Sequence, residues 1–325
     1  MKAIVQRAYG SPDVLALEDI DKPALDDDGV LVRVRASSVN RVDAYGIRGV
    51  PWFVGLIMTR SLRTPPPDLV PGTDVAGLVE AVGKNVTQFR PGDEVFGARS
   101  GAYAEYVRVT ETSAIVPKPA NITFEQAGAV GIAGCTALQG LRDTGRLRPG
   151  QRVLINGATG GVGTFAVQIA KALGAHVTAV CKTSNVELVR SIGADLVIDY
   201  TKEDFAKRGE RFDLFFDVAG SRSLPTYTSV LAPGGIVVLA GARQGGFAGI
   251  MWRIAEASVR TRLGKHPIRF FVAKLKKDDL VVLKDLMAAG KVSPVIDRTY
   301  PLSETAAAVR YVEAGHARGK VVITV

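Results

Sequence analysis

Residues 152–173 read RVLINGATGGVGTFAVQIAKAL, which is an apolar run, a glycine turn and the start of an apolar helix pattern. A loop without Cβ atoms at the N-terminus of a helix lets backbone N–H groups approach the pyrophosphate of a dinucleotide. Because the glycines follow a strand pattern and open a helix that can pack on a sheet, they predict a dinucleotide site. The candidate contacts of this loop are Gly157, Thr159, Gly160, Gly161, Val162 and Gly163.

The residues that follow the next apolar run, HVTAVC, indicate which dinucleotide is bound. A site that prefers NAD usually places Asp or Glu about 20 residues after the glycines, on the ribose 2′-hydroxyl. This sequence has Lys182, Thr183, Ser184 and Asn185 there, with no carboxylate among them. A lysine with hydroxyl and amide donors suits a 2′-phosphate. We therefore predict NADPH, with Lys182, Ser184 and Asn185 as ligands; for Lys182, a solvated loop lysine is the alternative.

The order of the patterns predicts an α/β protein of two parts. The first third alternates apolar and charged residues, as in VLVRVRASSV, which indicates β structure. From about residue 150, apolar runs alternate with helical stretches, as in the βαβ units of a parallel sheet. Six runs suffice for a complete dinucleotide-binding sheet. They are RVLING (152–157), HVTAVC (176–181), DLVIDY (195–200), FDLFFDVAG (212–220), GIVVLAG (235–241) and IRFFVAK (268–274).

Length and composition agree with a folded protein of two domains. The 325 residues are 47% hydrophobic and 22% charged. The first residues, MKAIVQRAYG, have no apolar h-region, and no run of about 18 apolar residues follows, so we expect neither secretion nor a membrane span. Cys135 and Cys181 are the only cysteines, too few for a four-thiolate zinc site. A reducing cytoplasmic compartment fits best.

The net charge of +9 is concentrated in one segment. Residues 253–277 contain eight Lys or Arg and one acid, Glu256, which leaves +2 for the remaining 300 residues. Few aromatic residues are interleaved for base stacking, so we do not expect nucleic-acid binding. The segment overlaps an irregular insertion, 245–266, whose charged and apolar residues fall on different helical faces. We interpret it as a surface helix packed on its own domain; a lid over the substrate and a membrane-surface patch are the alternatives.

Motifs over most of the chain resemble the medium-chain dehydrogenase/reductase superfamily. They include LVRVRASSVNRVDAYGIRG, VPGTDVAGLVEAVGKNVTQFRPGDEVFG, AGCTALQGL, NGATGGVGTFAVQIAKALGA, GADLVIDY and HARGKVVITV. Within the superfamily, the zinc-independent quinone oxidoreductase-like and enoyl reductase-like branch is the most similar. The resemblance implies a GroES-like β-rich catalytic domain (1–119 and 276–325) and a Rossmann NADP-binding domain (120–275) with a doubly wound parallel six-stranded sheet. The substrate is then expected between them.

The resemblance also allows a test of whether this sequence has the ligands of a catalytic zinc ion. In zinc alcohol dehydrogenases of this superfamily, a metal-binding His stands at the turn that reads PGTD here, and a Cys stands near position 40. A catalytic zinc needs three protein ligands. This sequence offers Thr73 and Asn40 at those two positions and Ile132 at the third, with its three histidines far away along the chain. We therefore predict no metal.

Without a Lewis acid, oxidation of a simple alcohol loses substantial stabilisation of its transition state. Reduction of a quinone or an α,β-unsaturated carbonyl compound needs a placed hydride and a hydrogen-bond donor to the developing enolate. The resemblance puts Asn40 and Tyr45 at positions that line the nicotinamide and substrate pocket, where an amide or a phenol could donate. A turn asparagine and a packed tyrosine are the structural alternatives. We interpret Asp43 as structural, with Lys320 as a candidate partner.

The resemblance implies roles for five more residues. Thr136 would lie beside the nicotinamide ring and Tyr200 beside the adenosine phosphate, while Gly241, Phe271 and Val272 would back the nicotinamide. Large apolar side chains in the two irregular segments, 51–69 and 245–266, indicate a sizeable apolar substrate. They are Trp52, Phe53, Leu56, Met58 and Trp252.

The sequence thus predicts an NADPH-dependent, zinc-independent oxidoreductase that transfers hydride to a small apolar electrophile, either a quinone or an enone. One alternative is a ketone or alcohol dehydrogenase. The other is an NADPH-sensing binding protein that uses its basic segment to engage a nucleic acid or an acidic membrane. A homodimer is also open, because the edge of the sixth strand could pair across a two-fold axis.

Overall fold

The fold was analysed in a computed structural model that describes residues 1–49, 65, 69–240, 246–264 and 266–325, without the side chains of 246–251. Gly241 and four of the predicted pocket residues, Trp52, Phe53, Leu56 and Met58, lie outside the described residues. The chain forms two compact units. The first comprises Met1–Ala133, Leu275–Ala289 and Pro294–Val325, and the second comprises Gly134–Lys274 and Gly290–Ser293.

The strands and α-helices have the following bounds. The strands are β1 (Lys2–Gln6), β2 (Leu15–Asp19), β3 (Gly29–Val39), β4 (Asp74–Val82), β5 (Glu94–Ala98), β6 (Tyr106–Thr110), β7 (Ile115–Pro117), β8 (Arg152–Asn156), β9 (His176–Cys181), β10 (Leu196–Asp199), β11 (Phe212–Asp217), β12 (Leu231–Leu239), β13 (Ile268–Phe270), β14 (Ile296–Pro301) and β15 (Lys320–Thr324). The α-helices are α1 (Arg41–Arg48), α2 (Phe124–Ala127), α3 (Gly131–Leu138), α4 (Gly161–Ala172), α5 (Val186–Ser191), α6 (Leu224–Thr228), α7 (Gly246–Leu263), α8 (Lys277–Ala288) and α9 (Thr305–Glu313).

The first unit is built on a seven-stranded sheet of order β14-β15-β3-β4-β5-β7, with β6 also paired to β3. The long strand β3 runs antiparallel to both β4 and β15, the last strand of the chain. Val39, at the end of β3, is opposite Val321 of β15. This register brings Lys320 next to the residue that follows β3, although the two are 280 positions apart. The predicted β-rich, GroES-like domain is confirmed.

Residues 120–133, which the sequence analysis assigns to the Rossmann domain, belong to the first unit. The short helix α2 begins with a capping box in which Thr123 and Gln126 exchange hydrogen bonds, and its last turn lies on β3. A Cβ on Gly128 would come within 2.9 Å of the Ala36 carbonyl oxygen, so this glycine allows the close approach.

The second unit is a six-stranded parallel sheet of order β10-β9-β8-β11-β12-β13. Numbered along the chain this order is 3-2-1-4-5-6, the order of doubly wound dinucleotide-binding sheets. The strands are almost continuously apolar because helices cover both faces of such a sheet. On one face, the Phe215 ring stacks on Tyr227 with centroids 4.3 Å apart and meets Phe205 at 5.5 Å. The predicted Rossmann sheet is confirmed.

Three strands differ from their predicted runs by three residues or more, the first being β11, which ends at Asp217 rather than at 220. The fifth, β12, begins at Leu231 rather than at 235. The sixth, β13, ends at Phe270 rather than at 274, because the Gln139 side chain takes up the backbone groups of Lys274 that a longer strand would have used. Gln139 Nε2 donates to the Lys274 carbonyl oxygen (2.6 Å), and the Lys274 N–H donates to Gln139 Oε1 (3.0 Å).

The insertion between β12 and β13 forms the 18-residue helix α7, as the helical pattern predicts. In the part of the chain that the structure describes, no helix combines the length and hydropathy needed to cross a bilayer.

Candidate functional site

The buried carboxylate of Asp74, at the start of β4, collects hydrogen bonds from four directions. Its Oδ1 accepts from the Ile132 N–H (2.7 Å). Its Oδ2 accepts from Ser38 Oγ (2.6 Å), Asn40 Nδ2 (2.9 Å) and Lys320 Nζ (3.2 Å). Asp74 is fully buried and Lys320 is 2% exposed. The ammonium and the neutral donors compensate a charge that would otherwise be very costly to bury.

The Asn40 side chain is held at both ends of its amide. Nδ2 donates to Asp74, and Oδ1 accepts from Lys320 Nζ. The Asn40 backbone N–H donates to Asp43 Oδ2 (2.8 Å), and the residue is 7% exposed. Because Oδ1 must face the ammonium, the amide cannot flip without losing both contacts. An amide nitrogen carries two hydrogens, and Asp74 takes only one of them.

Asp43 lies in the first turn of α1, beside this network. Its Oδ1 accepts from Thr73 Oγ1 (2.7 Å). Burial, reinforced by the negative charge of Asp74, raises the pKa of Asp43 to about 6. The suggested ion pair between Asp43 and Lys320 is not formed, because the ammonium bonds Asp74 and Asn40 instead. Thr73 therefore meets a carboxyl group at the turn where zinc enzymes have a histidine.

Tyr45 lies one turn further along α1 and is partly buried. The proposed donor roles of Asn40 and Tyr45 stay predictions. Within the described ranges, no cluster of three His, Cys, Asp or Glu side chains could hold a metal ion.

In the second unit, the glycine loop joins β8 to α4. Gly157 has φ +87°, a conformation that favours glycine, and Gly160 caps the helix with extended backbone. A Cβ on Gly163 would lie 2.1 Å from the Gly157 carbonyl oxygen, so only glycine lets the helix pack this closely on its loop. A Cβ on Gly160 would find nothing nearer than 3.8 Å. This open space at a helix N-terminus fits a pyrophosphate.

The residues after β9 form a short 3-10 turn, Thr183–Asn185. Lys182 is partly buried, Ser184 is exposed, and Asn185 is 3% exposed. Among the described residues, Lys182 forms no ion pair. Asp199, at the end of β10, was not predicted from the sequence; it accepts a 2.5 Å hydrogen bond from Thr183 Oγ1. This bond lowers the pKa of Asp199 and occupies the Thr183 hydroxyl group.

A second buried carboxylate, Asp217, ends β11 beside the glycine loop. Its Oδ1 accepts from Asn156 Nδ2 and from the Gly220 N–H, both at 2.9 Å, and its Oδ2 lies 3.3 Å from the Arg253 guanidinium. Burial raises the pKa of Asp217. Asn156 immediately precedes Gly157, so this cluster stabilises the strand end that leads into the loop. An acid that closes the apolar run FDLFFD was the available sequence signal.

Three other predicted cofactor residues, Tyr200, Phe271 and Val272, follow the ends of parallel strands, whereas Thr136 lies in a helix. Tyr200 follows β10 and is 53% exposed, whereas Val272 follows β13 and is 76% exposed. The Phe271 ring lies close to Gly140, where an added Cβ would be 3.0 Å from Cζ. Thr136 is a partly buried residue of α3. The carboxyl ends of parallel strands meet at one sheet edge, where such folds bind ligands. The glycine loop, Lys182 and Tyr200 therefore share that edge.

Substitution of Gly160 and of Gly163 should have different effects, the first on the affinity for NADPH and the second on the stability of the fold. In Gly160→Ala, we expect the thermal midpoint to be unchanged and the Kd for NADPH to rise at least about tenfold, because the new methyl group fills the space left for phosphate. In Gly163→Ala, we expect a clear fall in thermal midpoint because Cβ clashes with backbone. Scanning fluorimetry and cofactor titration measure both; wild-type affinity in Gly160→Ala would contradict the assignment of the loop.

The raised pKa of Asp43 predicts a pH-dependent stability term. Its pKa is about 6 in the folded chain and about 3.9 in an unfolded one, so between these values the folded state holds a proton that the unfolded state lacks. The stabilisation is complete below about pH 4 and is lost as the pH rises through 6. We expect the free energy of unfolding of the wild type, relative to Asp43→Asn, to fall by about 2 to 3 kcal/mol from pH 4 to pH 7.

Urea unfolding at several pH values measures this difference, with Asp285→Asn as the control because that carboxylate is 65% exposed. A wild-type-minus-variant difference that stays flat would mean that Asp43 is ionised throughout this range.

Two family models match parts of this chain. Residues 26–120 match the alcohol dehydrogenase GroES-like domain, and residues 192–323 match the zinc-binding dehydrogenase family. The NADPH-dependent alkenal/one oxidoreductase, chloroplastic, of Arabidopsis thaliana is 36% identical over 99% of this chain and 79% of its own length.

Solved structures give the same result. The quinone oxidoreductase of Coxiella burnetii has a TM-score of 0.86 and 29% identity, with 100% of this chain and 99% of that chain covered. The Escherichia coli quinone oxidoreductase, crystallised with NADPH, has a TM-score of 0.81 and 25% identity, with both chains fully covered. This chain belongs to the medium-chain dehydrogenase/reductase superfamily, in its zinc-independent quinone oxidoreductase-like and enoyl reductase-like branch.

Proposed function

We propose that this protein is an NADPH-dependent reductase of α,β-unsaturated carbonyl compounds or quinones. The observation that carries the proposal is the glycine loop after β8. A Cβ added at Gly160 would have free space around it, whereas one added at Gly163 would clash with the loop backbone. Relatives that match this chain nearly end to end have names that specify NADPH and either alkenals and enones or quinones. Its partner is therefore a small apolar electrophile.

Bound NADPH supplies a hydride, that is, two electrons and one proton. An enone that accepted this hydride at its β-carbon would shift its C=C electron pair into a new bond between the α-carbon and the carbonyl carbon and its C=O π pair onto the oxygen. The resulting enolate would then take a proton from solvent at the α-carbon. The chain must bind the cofactor phosphates and stabilise negative charge on that oxygen. The loop backbone serves the first task. For the second, we assign the amide hydrogen of Asn40 that Asp74 does not take, with Tyr45 as a further donor.

Lys320 and Asp74 are positioning residues in this proposal. Lys320 holds the amide oxygen of Asn40, and Asp74 holds one amide hydrogen, so the remaining hydrogen has a set direction. A donor that is oriented before the reaction needs no reorganisation as charge develops. The carboxyl group of Asp43 fixes the Asn40 backbone from the other side.

The reaction is tested by following NADPH consumption at 340 nm with a 2-alkenone and a 1,4-quinone in parallel, each with and without EDTA. Turnover of either compound that is insensitive to the chelator would support the proposal and rank the two substrate classes. Turnover that the chelator abolishes would favour an alcohol or ketone dehydrogenase. Tight NADPH binding without turnover of either would favour a sensing protein.

Substitution of the two donors tests their roles. If Asn40 stabilises the developing enolate, Asn40→Ala lowers kcat/KM by about 100-fold, the loss typical of one oxyanion donor. Tyr45→Phe removes only the phenolic hydroxyl and should give a smaller loss. Ser38→Ala is the matched control, because it also removes one hydrogen bond to Asp74 but no proposed substrate contact. If both donor variants stay within about twofold of wild type, the polarisation role is wrong.

Cofactor preference is tested at Lys182. If its ammonium binds the 2′-phosphate, Lys182→Ala raises the Kd for NADPH by about 10-fold or more, the value of one charge-assisted hydrogen bond, and leaves the Kd for NADH unchanged. Lys207→Ala, at an exposed lysine beyond β10, is the control. Equal losses for NADPH and NADH, or wild-type affinity for both, would remove Lys182 from the 2′-phosphate site.

A further inference from the structure

The outward face of α7 exposes large apolar side chains in one stripe. Trp252 is 74% exposed, Val259 is 55% exposed and Leu263 is 84% exposed. With the exposed Ala255 they stand at positions i, i+3, i+7 and i+11, which fall on one side of a helix. The stripe is about 16 Å long at 1.5 Å per residue. Single exposed apolar residues are ordinary, but a continuous stripe is typical of an interaction surface.

The opposite face of α7 packs on its own unit. The exposed stripe is therefore not the face with which this helix contacts the core. Ala257 is 3% exposed. The Arg253 guanidinium bonds the buried Asp217 and the Arg222 carbonyl oxygen. Thr261 Oγ1 exchanges hydrogen bonds with both backbone groups of Ile268 in β13. The side of the helix that carries these contacts is therefore satisfied, and the stripe points away from it.

A groove of about 740 Å³ runs along the stripe, between α7 and α6. Pro225 and Thr228 line it from α6, and the stripe residues line it from α7. The groove extends the apolar surface beyond one helix. Trp252 was expected in the substrate pocket from sequence; in the structure it borders this groove, on the outside of α7.

The borders of the stripe carry two arginines and one glutamate, which gives a net positive charge. On a helical wheel, Arg260 and Arg262 fall about 80° to either side of the stripe, and both are exposed. Glu256, the only acid in residues 253–277, is already bonded to Arg260 at 2.7 Å. An apolar stripe with an aromatic residue at one end and arginines along its borders has the pattern of helices that lie in a membrane interface.

We infer that the outward face of α7 docks on an anionic lipid surface, with Trp252, Val259 and Leu263 entering the headgroup boundary and Arg260 and Arg262 meeting lipid phosphates. Charge complementarity selects this occupant. A second copy of the chain, packed face to face on the same stripe, would bring two surfaces of the same net positive charge together, which disfavours that contact. Anionic lipid attracts basic residues instead, and the attraction weakens as salt rises. The inference does not depend on the reaction proposed above.

Vesicle sedimentation with the full chain tests the inference. We expect binding to phosphatidylcholine vesicles that contain phosphatidylserine, weak or no binding to pure phosphatidylcholine, and a loss of binding at high salt. Val259→Ser/Leu263→Ser should abolish binding, and Arg260→Gln/Arg262→Gln should lower the partition coefficient by roughly fivefold per arginine. NADPH binding should be unchanged in both double variants. The controls Leu17→Ser and Arg90→Gln change an exposed leucine and an exposed arginine elsewhere and should bind as wild type.

Tryptophan emission locates the contact, because Trp52 and Trp252 are the only tryptophans. In Trp52→Phe, anionic vesicles should shift the emission of Trp252 to shorter wavelength. The inference is overturned by absence of binding at low salt, by binding that survives the Val259/Leu263 change, or by binding without an emission shift. Concentration-dependent self-association that the same change removes, without lipid binding, would assign the face to a second copy.

Discussion

The buried charge of Asp74 is the constraint on which the first unit depends. Its donors come from the end of β3 and the residue that follows it, from the start of α3 and from β15, so one carboxylate of β4 connects three segments that are distant from each other along the chain. Removing one partner of a buried ion pair typically costs about 3 to 5 kcal/mol, because the remaining charge has no compensation. This penalty favours the one arrangement of strand ends in which all the donors meet.

The orientation of Asn40 follows from that arrangement. An exposed asparagine samples both amide orientations, but here the ammonium of Lys320 can donate only to the amide oxygen, which fixes the orientation. At the turn before β4, Thr73 also donates a hydrogen bond to Asp43. At the turn that carries a zinc ligand in related alcohol dehydrogenases, Thr73 thus belongs to a hydrogen-bond network.

In the second unit, the groups available to a charged ligand are backbone N–H groups and not a buried ammonium. Its glycine loop offers backbone N–H groups and open space rather than a cation, and its buried carboxylate, Asp217, is neutralised by Arg253 at some distance along the chain. That arginine also attaches α7 to the sheet. One side of α7 therefore supports the strand ends near the loop, while its other side carries an apolar stripe that does nothing for the fold.

Local patterns in the sequence determined much of this protein: the strand runs, the glycine loop and α7 as a helix, with the doubly wound six-stranded sheet given by resemblance. These features depend on residues close together in the chain, where periodicity and glycine spacing are direct signals. The tertiary structure alone decided that Lys320 pairs with Asp74 rather than Asp43, that Gln139 ends β13 early, and that Arg253 reaches Asp217. Those contacts join residues between 36 and 246 positions apart, and strand register rather than local sequence sets which side chains meet.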